Sequence, residues 1–361
     1  MKILIIKNDG IGDLILSSGL ISYLAANIAT SLDLITCNEN KAIATHIEGV
    51  NEIFYVSRDS IKQYTLLNKN RIQVPLRRAN DHCKIIRFTE YEQEVITKTN
   101  QKNYDLIIVL RRYIRQSSLN LLHMIRAKEK LCMWERPMNI SYESAKKLST
   151  GALHITTFHL GTYIRPELEY YETVLSKYFQ HKITANPFLN CVSYQKTDET
   201  QKIGLILSGS SIKISTEQWL HVCRHIVALG YRITLFGAKE QHVCASRIEA
   251  EFSCIENRVG SLSLEQYPEA FSSVSCIIGN DTGLTHYASL YHSKVLVFLG
   301  GGTFRSFFPW REEGPQEIVY HEMECYDCAW ICDKQYACIS SLMDDTPLLY
   351  NAITLFLSQL K

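Results

Sequence analysis

Read for its apolar and polar positions, the chain alternates short unbroken apolar runs with longer stretches of helical spacing. Residues 2–7, Lys-Ile-Leu-Ile-Ile-Lys, show no alternation, as expected of a strand buried on both faces of a parallel sheet. Asn8-Asp9-Gly10-Ile11-Gly12-Asp13 breaks the run, and helical spacing follows over 14–26. Further strands are predicted at 32–37, 51–56, 104–110 and 130–134, with a helix at 167–179. Residues 59–103 are polar and helix-prone without a clear element, 154–163 reads as an aromatic-rich loop, and the polar stretch 182–200 with Pro187 reads as a linker. A second series opens with a strand at 202–207 and the small-residue turn Ser208-Gly209-Ser210-Ser211. It continues with a helix at 216–229 stopped by Gly230, a strand at 231–236, a helix to about 252, and a short helix at 264–271. A strand ending near 278, a helix from 284, a strand at 294–299 and an amphipathic helix at 347–360 complete it. Strands alternating with helices in both series predict an α/β chain of two Rossmann-like, doubly wound parallel-sheet domains facing across a cleft. In such sheets ligands bind beyond the carboxyl ends of the strands, so each side of the cleft would take one ligand.

Composition narrows the function. A length of 361 residues fits two domains, and 46% hydrophobic residues suffice for two cores. A net charge of +1 argues against general nucleic-acid binding. No 18-residue uncharged apolar stretch occurs, so no spanning helix is expected. The N-terminus turns polar too soon for a signal peptide, and a cytoplasmic location is expected. The twelve cysteines are then expected to be mostly reduced thiols.

Several clusters carry candidate chemistry. Asp13 follows the first strand, where it either caps the helix or stands as a cleft-edge carboxylate able to take a proton. Gly10 and Gly12 would keep that turn low enough for a substrate to approach. Cys276-Ile277-Ile278-Gly279-Asn280-Asp281-Thr282-Gly283-Leu284-Thr285-His286-Tyr287-Ala288 reads as strand, tight loop and helix. Such a turn presents backbone N–H groups to an anion, while Asp281 and Thr282 can cap the helix or bond a sugar or ribose hydroxyl. Gly283 would let the backbone approach a ligand. Gly300-Gly301-Gly302-Thr303 permits a close ligand approach, or is a flexible connector. Arg111, Arg112 and Arg115, with Arg77, Arg78 and Arg87, form either a positive patch suited to a phosphorylated or carboxylated ligand or a solvated face. Cys325, Cys328, Cys332 and Cys338 are close enough in sequence to hold a structural Zn or Fe ion; otherwise they are free buried thiols.

Asn-Asp-Thr-Gly-Leu-Thr-His-Tyr-Ala resembles the Asp-Ser/Thr-Gly-x-x-His-x-Ala signature of glycosyltransferase family 9, the ADP-heptose:lipopolysaccharide heptosyltransferases. The N-terminal Ile-Gly-Asp matches that family's opening, and it often carries a similar cysteine cluster. The resemblance implies a GT-B fold with an acceptor domain at 1–190, a donor domain at 200–345, and the helix 346–361 packing back on the first domain. It implies inverting heptose transfer from ADP-heptose to a sugar hydroxyl of the lipopolysaccharide core, with Asp13 as general base and no cofactor in catalysis. Asp281, Thr282, Gly283 and His286 would hold the donor diphosphate, with Ser208, Ser210, Lys213 and Thr303 across the pocket and Gly12 and Arg111 on the acceptor side. The family's Trp-Pro after the basic residue is missing here, and Lys213 is alternatively an exposed lysine beside a helix cap. His154 matches a family histidine or is structural. The expected partners are a nucleotide sugar and a glycolipid or glycan acceptor, with peripheral contact at the inner membrane and no nucleic acid. Two alternatives remain: another nucleotide sugar or a protein acceptor, and a catalytically degenerate, metal-bearing assembly module.

Overall fold

The apolar run at the N-terminus is the centre of a sheet. In the computed structural model, which describes residues 1–57, 90–112, 118, 121–122, 124–133, 155–158, 166–190, 201–207, 214–328, 330 and 332–360, Ile5 pairs with Leu34 on one side and Ile108 on the other. The chain divides into two units, Met1–Ile164 with Tyr170–Asn190, and Arg165–Glu169 with Cys191–Lys361.

The first unit contains β1 (Lys2–Lys7), α1 (Ile11–Asn27), β2 (Ser31–Cys37), α2 (Lys41–Ala44), β3 (Glu52–Val56), α3 (Glu90–Gln101), β4 (Tyr104–Val109), β5 (Ala127–Met133) and β6 (Ile155–Phe158). Next comes α4 (Glu167–Phe179), whose first turn groups with the second unit. The second unit contains β7 (Lys202–Ile206), α5 (Thr216–Ala228), β8 (Arg232–Phe236), α6 (His242–Glu251), β9 (Ile255–Asn257), α7 (Tyr267–Ser272) and β10 (Cys276–Asn280). It ends with α8 (Gly283–Ser289), β11 (Val295–Phe298), β12 (Gln316–Val319), α9 (Ala337–Asp344) and α10 (Thr346–Ser358).

Each unit builds one six-stranded sheet with every described pairing parallel. The orders are β3-β2-β1-β4-β5-β6 and β12-β11-β10-β7-β8-β9. Numbered from its own first strand, the second sheet repeats the first. In each, the chain runs outward from the central strand, returns, and continues on the other side. The reversal falls between β1 and β4 and between β7 and β10. At such a switch point neighbouring loops diverge and leave a crevice at the carboxyl edge. The residues that matter are therefore those after β1, β4, β7 and β10.

The structure adds three strands that sequence patterning does not predict. β6 occupies part of the expected aromatic loop, and β9 and β12 are edge strands of three and four residues, too short to show a period. α9 lies in the cysteine-rich segment, and α3 at the end of the polar stretch that gave no clear element. Gly230 ends α5 as predicted: its φ is +88°, in the left-handed region that favours glycine, and its N–H donates to the Val227 carbonyl at 2.9 Å.

The last helix corrects an expectation. α10 begins at Asp345, whose Oδ1 accepts from the Leu348 N–H at 3.2 Å. Its buried side chains, Leu349, Ile353, Phe356 and Leu357, repeat at helical spacing and enter the core of the second unit with Trp219, Ile226 and Leu342. The Tyr231 hydroxyl also donates to the Leu357 carbonyl at 3.1 Å. This helix, expected against the first domain, spends its apolar stripe on the second. Phe356→Ala is expected to destabilise the second unit by about 3–5 kcal/mol, read by equilibrium urea denaturation.

Candidate active site

In the first unit the polar atoms gather where β1 and β4 end. Lys7 closes a strand that is apolar apart from the exposed Lys2 at its start, and Lys7 itself is almost wholly buried. A buried cation needs a partner, and Lys7 Nζ donates to Asp9 Oδ2 at 3.0 Å and to the Tyr171 hydroxyl at 3.2 Å. Arg111, just past β4, reaches the same Asp9 oxygen at 3.6 Å. Tyr171 donates to the Leu110 carbonyl at 3.3 Å, and Asn40 holds the Asp9 carbonyl at 3.0 Å. The ends of both strands are thus tied to one carboxylate.

This corrects the reading of the arginines as a solvated face. Arg111 is 8% exposed, and Arg112 is fully buried with its guanidinium 4.9 Å from the centre of the Tyr170 ring. Asp9 was passed over as a turn residue. The signal was Lys7, a cation inside an apolar strand, which implies a buried anion nearby. Arg115, Arg77, Arg78, Arg87 and His154 lie outside the described residues.

Asp13 occupies the first turn of α1. Its Oδ2 accepts from the Gly10 N–H at 3.0 Å, the helix-capping role expected as one alternative. The side chain is half-buried, and its second oxygen takes no hydrogen bond among the described residues. One oxygen therefore fixes the carboxylate while the other stays available, so capping and proton acceptance are compatible. Gly12, its neighbour in the same turn, is buried.

In the second unit, β10 ends at Asn280 and the turn Asp281–Thr282 leads into α8. The Thr285 hydroxyl donates back to the Asn280 carbonyl at 2.7 Å, and the Thr282 and Thr285 hydroxyls lie 3.1 Å apart. Asp281, Thr282 and Gly283 are half-buried, whereas Thr285 and His286 are buried. Both polar atoms of the Asn280 side chain are buried without a hydrogen-bond partner among the described residues. Leaving such an amide unsatisfied costs about 1–3 kcal/mol per group, and that cost falls at the carboxyl end of the switch-point strand.

His286 is enclosed by residues that motif reasoning missed. Its ring stacks on Phe308 with centroids 4.0 Å apart, and Trp310 Nε1 donates to its Nδ1 at 2.8 Å. Its Nε2 lies 3.5 Å from Asp281 Oδ1. The backbone N–H of Trp310 donates to Gln316 Oε1 at 3.2 Å, tying this segment to the first residue of β12. The Ser306 carbonyl accepts from Glu167 N–H at 2.8 Å, and Glu169 Oε1 accepts from Glu312 N–H at 2.8 Å, so the first turn of α4 holds the same segment. No local sequence signal links position 310 to position 286.

The triple glycine has a different purpose from the two expected. A Cβ on Gly300 or Gly302 would fall on the Trp330 ring, and one on Gly301 on the Tyr326 ring, at 2.1–2.6 Å. The Gly301 N–H donates to Cys338 Sγ at 3.3 Å and its carbonyl accepts from Asp327 N–H at 2.7 Å. The loop lies flat because aromatic rings of the cysteine-bearing segment cover it. Thr303, just beyond, is half-buried. Ser208, Ser210 and Lys213 lie outside the described residues.

The cysteines make individual contacts of their own. Among the described residues no three His, Cys, Asp or Glu side chains are arranged to hold a metal ion. Cys338 is buried in the core through α9 with its sulfur on the Gly301 amide, and Cys332 Sγ accepts from the Tyr336 N–H at 3.2 Å. Burial pushes the Cys328 thiol up, and the nearby thiols of Cys332, Cys325 and Cys338 add to that rise.

With this geometry in place, comparison with known proteins is decisive. A model of glycosyltransferase family 9 (heptosyltransferase) matches residues 94–329. The chain belongs to glycosyltransferase family 9. The family match runs from within α3 past β12 and includes the Asp281–His286 turn, but not the Asp13 turn. Lipooligosaccharide heptosyltransferase 2 of Haemophilus ducreyi is 36% identical over 91 residues. That stretch is 23% of this chain and about a quarter, 26%, of the relative. The fold is shared with the Escherichia coli ADP-heptose lipopolysaccharide heptosyltransferase II at 14% identity, a TM-score of 0.63 and 99% coverage of both chains. It is shared also with the E. coli heptosyltransferase WaaC with ADP, at 15% identity, a TM-score of 0.66 and full coverage of both. These likenesses give the family 9 chain the GT-B fold that the sequence resemblance implied.

The Asp9 carboxylate is the shared anchor of two buried cations. Asp9→Ala is expected to cost about 3 kcal/mol in urea denaturation, while Glu39→Ala, on an exposed side chain, changes stability by less than about 0.5 kcal/mol.

Proposed function

We propose that this chain is an inverting glycosyltransferase that moves a heptose from ADP-heptose to a sugar hydroxyl of the lipopolysaccharide core. The observation that carries the reading is the Asp281–His286 turn standing at the switch point of the second unit, inside the stretch matched by the family. The solved relatives support the choice of donor and acceptor: one is a heptosyltransferase with ADP, another an ADP-heptose lipopolysaccharide heptosyltransferase.

On this reading the N–H groups of Thr282 and Gly283 meet the donor diphosphate and stabilise the charge that grows on it as the sugar leaves. Asp281, with one oxygen toward His286, offers the other to a donor hydroxyl. Thr303, and Ser208, Ser210 and Lys213, which follow β7 in the sequence, are proposed as further donor contacts. Gly12 and Arg111 serve the acceptor side, Arg111 acting through Asp9, which it helps to fix. The acceptor oxygen attacks the anomeric carbon, the bond from that carbon to the diphosphate oxygen breaks, and ADP departs with the electron pair. The acceptor proton passes to the unbonded oxygen of Asp13. A single displacement inverts the anomeric centre, and no metal takes part in the proposed step.

The site of work is proposed to be the cytoplasmic face of the inner membrane. Among the described residues no helix is long and apolar enough to cross a membrane.

Asp13→Asn keeps an oxygen for the Gly10 N–H and removes the base. Transfer from ADP-heptose is expected to fall by about a hundredfold or more, with the Kd for ADP unchanged within about twofold by calorimetry. Unchanged turnover would remove Asp13 from the mechanism; a different preferred nucleotide sugar in the same titration would change the donor.

A further inference from the structure

The contacts of His286 lead outward to a residue with no assigned part. An indole N–H is a donor only, so the imidazole nitrogen facing it must accept. Trp310 Nε1 lies 2.8 Å from His286 Nδ1, which makes Nδ1 the bare nitrogen and leaves the proton of the neutral ring on Nε2. The direction is right as well as the distance. The Trp310 and His286 planes are parallel at 0° with centroids 6.2 Å apart, an edge-on arrangement that brings the in-plane N–H to the in-plane lone pair. Phe308 covers the imidazole at 4.0 Å and 17°, so the ring cannot flip without unstacking. His286 is 3% exposed and Trp310 9%, so water does not compete for these atoms.

Nε2 has one polar neighbour among the described residues. Asp281 Oδ1 lies 3.5 Å away, and Asp281 has no other polar partner among the described residues. Contacts of this kind are commonly long in an active site without ligand and tighten when substrate arrives. Resting on the donor reading above, we propose that Trp310 is a positioning residue of the donor turn. Its indole N–H locks His286 as the Nε2–H tautomer and aims that proton at Asp281 Oδ1, which sets the Asp281 carboxylate with its second oxygen toward a hydroxyl of the nucleotide sugar. The chain of position runs from Gln316 on β12 through the Trp310 backbone and indole to His286 and Asp281. An edge strand thereby orients a carboxylate at the centre of the sheet.

The test is a two-bond ¹H–¹⁵N correlation spectrum of the whole protein labelled at histidine nitrogen, recorded at pH 8, with His286→Gln identifying the signals. The expected pattern is an Nε2–H ring with a bare Nδ1; an Nδ1–H ring in the unmodified protein overturns the proposal without any variant. Trp310→Phe keeps an aromatic ring and deletes the donor. The His286 signals are expected to move to a tautomer mixture, with the KM for ADP-heptose raised about tenfold, the usual weight of one buried hydrogen bond, and the Kd for ADP, which lacks the sugar, unchanged within about twofold. Unmoved signals with an unchanged KM overturn it. Phe308→Leu, which leaves the indole in place, is expected to keep the Nε2–H pattern, and loss of that pattern there would assign the tautomer to stacking rather than to Trp310. The spectrum needs no turnover, so a protein with the Nε2–H pattern that transfers no heptose would refute the donor reading alone.

Discussion

Everything in this molecule is governed by the burial of its central strands. A parallel strand flanked by neighbours on both sides and covered on both faces has nowhere to place a polar side chain except at its ends. β1 and β10 obey this closely: their apolar residues fill the interior, and the buried polar side chains, Lys7 and Asn280, come at the carboxyl edge. The strand order reverses beside these same strands, so the crevice and the polar ends coincide. Two units with one topology place two different chemistries on opposite sides of equivalent switch points, a carboxylate turn after β1, the first strand of its sheet, and an amide turn after β10, the fourth strand of the other.

Polar groups at such an edge must be held without the freedom that water gives, and the two units solve this differently. In the first, a single carboxylate, Asp9, gathers Lys7 and Arg111, and Lys7 in turn reaches Tyr171, so charges balance charges. Such a cluster is a weak source of net stability, but it fixes geometry firmly because any one loss exposes the others. In the second, aromatic rings do the fixing: Phe308 and Trp310 enclose His286, while Trp330 and Tyr326 flatten the glycine loop. The unsatisfied Asn280 amide stands at the same edge. Structures tolerate costs of this size where geometry is needed for chemistry.

The legible parts of the sequence were those with a period or a local rule. β1, α4 and the stop at Gly230 followed from apolar spacing and from the special backbone freedom of glycine. The strands β9 and β12 were too short to display alternation, and β6 was masked by aromatic residues that read as a loop. Arg111 and Arg112 looked like surface charge because composition cannot reveal a buried counter-ion such as Asp9. The glycines at 300–302 were read as room for a ligand, whereas the rings that need the room arrive 25–30 positions later. Cys338 was grouped with its sequence neighbours, yet helix α9 carries it into the core. Asp13 shows the capping role read from the sequence, and capping takes one oxygen of its carboxylate and leaves the other.

The central claim is that the turn after β10 is where the nucleotide sugar is held. Hydrogen–deuterium exchange with and without ADP-heptose tests it at the backbone amides themselves. The account predicts slower exchange in a peptide spanning residues 280–286 when ADP-heptose is bound. Unchanged exchange across that peptide, with protection confined to the first unit, would contradict it.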